Sequence, residues 1–187
     1  MRIVFCGVGA LGSTAAVACR NLDATLRLID FDRVESKNLL AQAFVKQSVG
    51  KNKATALKLQ LQNFYGVRVE AFGVRLADNN TSELLADSDL VVDCFDNAAS
   101  RTVVSTFARA NNRACVHAAL SADGTYGMVR WDDDFVPDNE DTPGQATCEG
   151  GEHLPFINIV AATLAHTIQE FVASGTRRGA MISLSGV

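Results

Sequence analysis

Glycines at positions 7, 9 and 12 stand directly after the apolar run Ile3-Val4-Phe5-Cys6, and an acid, Asp30, closes the next apolar run. A short buried strand, the loop Gly7-Val8-Gly9-Ala10-Leu11-Gly12 and then a helix make a phosphate cradle. The glycines permit a tight turn, bring bare backbone to the ligand and let the helix pack closely on the sheet. The helix aims its unpaired N–H groups at the loop, and those donors hold phosphate. A carboxylate at the position of Asp30 accepts hydrogen bonds from ribose hydroxyls. Together these features point to an adenine nucleotide, without saying which one. Lys46, Lys51, Lys53 and Lys58 add a local basic cluster to an otherwise acidic chain, which suits a triphosphate.

The elements that must position these groups alternate along the chain. Residues 10–21 read as a helix, 25–29 as a strand and 51–64 as a helix with Ala54, Leu57, Leu61 and Phe64 on one face. Residues 67–72 read as a strand, and Asn80-Thr81-Ser82-Glu83 as a capping box opening a short helix to 85. Leu90-Val91-Val92 is a buried strand, and Asp96-Asn97 can cap a helix whose apolar face is Val103, Val104 and Phe107. Residues 115–118 and 126–131 follow as strands, the second antiparallel because no helix precedes it. Residues 132–152 lack periodicity and read as a long acidic loop. Residues 154–172 form a strong helix with Ile157, Val160, Leu164, Ile168 and Phe171 on its buried side, and 181–184 a last strand. Repeated strand–helix units imply an α/β fold: a doubly wound, mainly parallel, Rossmann-like sheet with an added antiparallel edge. The ligand is then expected at the carboxyl ends of the strands, where the glycine loop, Asp30 and Asp96 all fall.

Composition narrows the classes. The 187 residues suit a single domain over 1–187 that buries roughly 70% of its unfolded surface. A net charge of −4 argues against a nucleic-acid surface. No apolar stretch approaches the roughly 20 residues of a membrane helix, and Met1-Arg2 leads straight into a strand rather than a signal peptide, so a cytoplasmic protein is expected. Five cysteines without a CxxC pair indicate neither a disulfide framework nor structural zinc.

One stretch is more specific than a generic nucleotide fold. Asp30-Phe31-Asp32-Arg33-Val34-Glu35-Ser36-Lys37-Asn38-Leu39 resembles the Asp-x-Asp-x-Val-x-x-Ser-Asn-Leu segment of the ubiquitin-activating-type adenylyltransferases, the group of ThiF, MoeB and HesA. In the same order, Val49-Gly50-Lys51-Asn52-Lys53-Ala54 resembles that family's Val-Gly-x-x-Lys-Ala helix start. Asp93-Cys94-Phe95-Asp96-Asn97 with Arg101 resembles its Asp-x-x-Asp-Asn-x-x-x-Arg, and Thr147-Cys148-Glu149-Gly150-Gly151 its cysteine loop. The resemblance implies ATP and Mg²⁺ as cofactors and adenylation of the C-terminal glycine of a ubiquitin-like or sulfur-carrier protein ending in Gly-Gly. It also implies a homodimer or heterodimer. On the same footing Gly7, Gly9, Ala10 and Gly12 lie along the nucleotide, Asp30 and Asp32 mark its ribose end, and Asn38 and Lys53 contact phosphates. Asp96 holds the metal with Asn97 beside it, and Lys53, Asp96 and Cys148 are the catalytic set. The chain departs from the family at Leu39-Leu40-Ala41-Gln42, where Ala41 takes the place of a phosphate-binding arginine. The family's N-terminal arginine segment and its paired zinc motifs have no match.

Some alternatives stay open at this level. Asp96 is either a metal ligand or an N-cap, and Arg101 either a site residue or a partner for a carboxylate on its own helix. Cys6, Cys19, Cys94 and Cys115 sit among apolar residues as core thiols, whereas Cys148 lies in a polar loop where a thiolate is accessible. His153 is a loop base or merely solvated, and His117 and His166 read as structural. The run Asp132-Asp133-Asp134 with Asp138, Glu140 and Asp141 is either a solvated loop or an attractor for a basic carrier tail. A catalytically weak binding subunit and an NAD-dependent oxidoreductase are the alternatives to an adenylyltransferase.

Overall fold

A computed structural model describes residues 1–121, 123–136 and 153–183. Seven strands, β1 Arg2–Cys6, β2 Thr25–Ile29, β3 Val69–Phe72, β4 Leu90–Asp93, β5 Cys115–Leu120, β6 Tyr126–Trp131 and β7 Ala180–Ser183, form one sheet. Their order is β3-β2-β1-β4-β5-β6-β7. The first five run parallel, and β6 and β7 extend the sheet antiparallel, as the strand–helix alternation implies. Among the described residues five α-helices accompany them: α1 Ala10–Ala18, α2 Lys53–Tyr65, α3 Thr81–Leu85, α4 Ala98–Ala110 and α5 Leu154–Ser174.

Strand alternation divides the core into two layers. Ile3, Phe5, Leu26, Leu28, Leu90, Val92, Val116 and Ala118 point to one face and pack with α1, α2 and α5. Val4, Cys6, Ile29, Val91 and Cys115 point to the other and pack with α3 and α4. Because β1 and β4 are covered on both faces, they read as unbroken apolar runs instead of alternating ones. The chain winds outward from β1 to β3, then returns to β4 on the other flank of β1. That reversal opens a crevice at the carboxyl ends of β1 and β4.

Four expectations need correction. Phe64 is 68% exposed, because the last turn of α2 runs past the core before Gly66 ends the helix. The capping box at Asn80 does not form. Its side chain turns back instead, accepting from the Ala77 N–H at 2.9 Å and donating to the Arg75 carbonyl at 3.0 Å. Residues Asp132–Asp134 make a 3-10 turn rather than a loop, with Asp132 buried while Asp133 and Asp134 stay exposed. Finally, the 21-residue α5 is long and apolar enough to match a membrane span by length and composition. Phe156, Ile157, Val160, Leu164 and Ile168 nevertheless lie buried in the core on α1 and the sheet.

Candidate functional site

The glycine loop is held from both flanks. The Gly7 N–H donates to the Ile29 carbonyl at 2.9 Å on β2, and the Cys94 N–H donates to the Cys6 carbonyl at 2.8 Å from β4. Gly7 has a φ of +88°, and a Cβ there would meet the Cys94 carbonyl at 3.0 Å and the Phe95 ring at 3.1 Å. At Gly12 a Cβ would strike the Gly7 carbonyl oxygen at 2.1 Å, so the close approach of α1 to its own loop requires glycine. Gly9 differs: a Cβ there meets nothing within 4 Å. The N-cap of α1 is this same Gly9, which has no side chain to bond the first amides, and Ala10 is the first helical residue. Open space therefore lies over a helix start that carries unpaired donors.

Asp30 joins this loop to β2. Its Oδ2 accepts the Val8 N–H at 2.8 Å and its Oδ1 the Asp32 N–H at 2.9 Å. Each carboxylate oxygen keeps a second acceptor direction. Burial raises the pKa of Asp30 above 3.8, against the pull of the Val8 bond and the nearby Lys53 cation. The start of α2 is stitched to the same segment. Asn52 caps the helix by accepting the Thr55 N–H at 3.0 Å and donates to the carbonyls of Asp30 and Asp32 at 2.8 and 3.1 Å. Lys53 follows, its backbone N–H on the Asp32 carbonyl at 2.8 Å and its Nζ 3.2 Å from Asp32 Oδ2. Of the four clustered lysines it alone is buried; Lys46 and Lys51 are exposed and Lys58 half-buried.

The β4–α4 turn separates two residues that the sequence left entangled. Asn97 caps α4, accepting the Ser100 N–H at 2.9 Å. Asp96 is exposed, and among the described residues its carboxylate meets the Asn97 amide, at 3.5 Å. Asn38 sits half-buried in a 3-10 turn, Ser36–Leu39, where its Oδ1 accepts the Glu35 N–H at 2.8 Å in a reciprocal capping box. Ala41 is 3% exposed and belongs to the apolar core. Cys148, Asp138, Glu140 and Asp141 lie outside the described residues. His153 occupies the N-cap position of α5, half-buried against Gly124.

A second polar assembly, unread from the sequence, lies between α4 and the sheet. Arg101, Ser105 and Arg109 recur at helical spacing on α4, beside the apolar face formed by Val104 and Phe107. Arg101 reaches Asp93 Oδ2 on β4 at 3.6 Å, not an acid on its own helix, and donates to the Ala118 carbonyl at 3.0 Å. His117 on β5 places Nδ1 2.8 Å from Asp93 Oδ2 and Nε2 2.9 Å from Asp132 Oδ1. Asp132 also accepts from Ser105 and Arg109, each at 2.6 Å, and Phe135 stacks on the imidazole at 3.9 Å. Burial alone would lower the His117 pKa, but the bonds to Asp132 and Asp93 outweigh it and raise the value above 6.5. Burial likewise opposes ionisation of Asp132, yet the bonds from His117, Ser105 and Arg109 bring it down to about 2. Cys115, His117 and Asp132 are the described residues grouped closely enough to ligate a metal ion. Both imidazole nitrogens already meet carboxylates, so hydrogen bonds account for the cluster. The sequence signal for this assembly was a histidine in a strand together with an i, i+4, i+8 polar row on a helix.

The core thiols behave as expected for inert side chains. Burial pushes Cys19 up to about 12 and raises Cys94 further. Cys6 and Cys115 also lie well above the usual thiol value, through burial and then the charge of Asp93.

Residues 1–174 match the ThiF family. The chain belongs to the ThiF family. Its curated relatives include the adenylyltransferase and sulfurtransferase MOCS3 of Caenorhabditis briggsae, 28% identical across 98% of this chain and 49% of that protein. The sulfur carrier protein adenylyltransferase of Thermus thermophilus is 38% identical across 50% of this chain and 35% of its own length. The ThiF-family chain thus spans about half, or less, of the length of these curated relatives. Escherichia coli MccB, solved with ATP, superposes with a TM-score of 0.75 at 19% identity, covering 98% of this chain and 63% of MccB. At that identity the likeness is one of fold.

Proposed function

We propose that this ThiF-family chain binds Mg-ATP in the crevice and transfers AMP to the C-terminal glycine carboxylate of a ubiquitin-like or sulfur-carrier protein. The observation that carries the reading is the open space over Gly9 facing a site that also holds the buried, Asp32-tethered amine of Lys53. The relatives named as adenylyltransferases support it. An NAD-dependent oxidoreductase would use the glycine loop and Asp30 but has no use for that lysine.

In this reading the α1 amides and Lys53 take phosphate oxygens, with Asn38 at the rim. The spare lone pairs of Asp30 accept the ribose hydroxyls, and Asp32 holds Lys53 in place. The exposed carboxylate of Asp96 would hold Mg²⁺, with Asn97 fixing the turn; the ion would supply neutralising charge for the triphosphate. A carboxylate oxygen of the carrier bonds to the α-phosphorus while the bond to the bridging oxygen breaks. Pyrophosphate departs with that electron pair, and no proton moves. Lys53 stabilises charge on the transferring group by preorganised electrostatics. A second step, by thioester or persulfide transfer, would fall to Cys148; in the thioester route its thiolate attacks the acyl-adenylate carbonyl and expels AMP. On this reading the chain works in the cytoplasm, as a homodimer or heterodimer.

A binding subunit without adenylation activity is favoured by one observation, the burial of Ala41. That position packs in the core and carries no cation. ATP–pyrophosphate exchange with carriers ending in Gly-Gly decides between the two readings. Exchange that vanishes in Lys53→Ala supports adenylation. Saturable Mg-ATP binding without exchange on any carrier favours the binding subunit, and micromolar NAD binding without ATP binding overturns both.

A further inference from the structure

The charged layer beneath α4 is not used by the chemistry above. It alternates in sign, Arg101, Asp93, His117, Asp132, Arg109, across elements far apart in sequence. Burying such charges is costly, and an apolar layer of equal volume would serve stability as well or better. Its geometry shows what else it does. Both imidazole nitrogens meet carboxylate oxygens, an arrangement that suits a ring donating from both nitrogens. The groups facing it are Asp93 from β4, Cys115 from its own strand, Asp132 and Phe135 from the segment after β6, and Ser105 from α4 through Asp132; Arg101 and Arg109 flank the two carboxylates. Asp93 has a second task. Its Oδ1 accepts the Phe95 N–H at 3.0 Å, and Phe95 lies against Gly7 and directly precedes Asp96.

We propose that His117 is a positioning residue for the ATP site: held between Asp93 and Asp132, it fixes Asp93, and Asp93 fixes the turn that presents Asp96 to the metal-bound phosphates. This rests on the Mg-ATP reading above. His117 touches no nucleotide itself, so its effect falls on metal-dependent affinity and not on the glycine loop or Asp30.

Calorimetry on the wild type and on His117→Gln, with Mg-ATP and with metal-free AMP, tests it. The variant is expected to lose Mg-ATP affinity by about 10–100-fold, the usual effect of removing a residue that orients a metal ligand, while AMP affinity stays within about twofold. Unchanged Mg-ATP affinity, or an equal loss of both ligands, overturns the positioning role and leaves the ATP reading standing. A wild type that binds neither ligand overturns the ATP reading first, and this proposal with it. Should His117→Gln fail to fold, ¹⁵N-histidine spectra of the wild type replace it. The expected result is two protonated ring nitrogens on His117 that shift with Mg-ATP and not with AMP; a neutral ring, or shifts that do not distinguish the two ligands, overturns the role.

Discussion

At Asn97 the side-chain oxygen accepts the Ser100 N–H, so the cap of α4 belongs to this residue and not to Asp96. The two neighbours should respond to substitution in opposite ways. Asn97→Ala is expected to cost about 1 kcal/mol in urea unfolding, the usual value of a lost cap. Asp96→Asn should leave the urea midpoint unchanged and weaken Mg-ATP binding measured by calorimetry. A fall in midpoint for Asp96→Asn with intact Mg-ATP binding would return the residue to a structural role. The positions of Asp30, Lys53 and Asp96 at strand and helix ends were legible from motif spacing. Asp132 was not, since its burial depends on His117, Ser105 and Arg109, whose approach no local pattern encodes. Ala41 showed as a departure from a motif, while its burial in the core did not.

The junction of β1 with α1 makes a sharper contrast, because two glycines of one loop are required for different reasons. Gly12→Ala places a methyl group 2.1 Å from the Gly7 carbonyl oxygen, so the helix must move off its loop. The expected loss of stability is about 1–3 kcal/mol, the range for overpacking a tight contact. Gly9→Ala meets nothing within 4 Å, and its φ of −74° lies outside the left-handed region. It should keep the wild-type melting temperature and lose ATP affinity, because the methyl group occupies the space meant for phosphate. Equal ATP affinity in Gly9→Ala would move the nucleotide off this loop. At this scale the strands were the most readable part: β2 spans the same residues that its apolar pattern predicts, and the antiparallel β6 follows from the missing helix before it. Helix ends were read less well. The periodicity that places Leu57 and Leu61 in the core continues to Phe64, but periodicity cannot register that the core stops one turn earlier.

Across the whole molecule, the layer beneath α4 ties β4, α4, β5 and the turn after β6 into one titrating unit. The folded protein holds the His117 proton above 6.5, so from that pH upward the native chain keeps a proton that the unfolded chain has lost, and stability falls as pH rises. Below 6.5 the contribution is fully present. On the acid side Asp132, at about 2 against an ordinary 3.8, contributes stability above 3.8 that disappears as pH falls toward 2. Urea midpoints measured from pH 6 to 8 should therefore decline in the wild type and stay flatter in His117→Gln. The core thiols enter only above 9.0. The strand order carries a consequence for synthesis. β1 is an interior strand of the sheet, and one of its partners, β2, follows it closely, whereas the other, β4, begins only at Leu90. About 60 residues separate the end of β2 from that strand, or roughly 3–12 s on the ribosome at about 5–20 residues per second. For those seconds β1, with the glycine loop at its end, has one bare edge, which a chaperone can reach before β4 does.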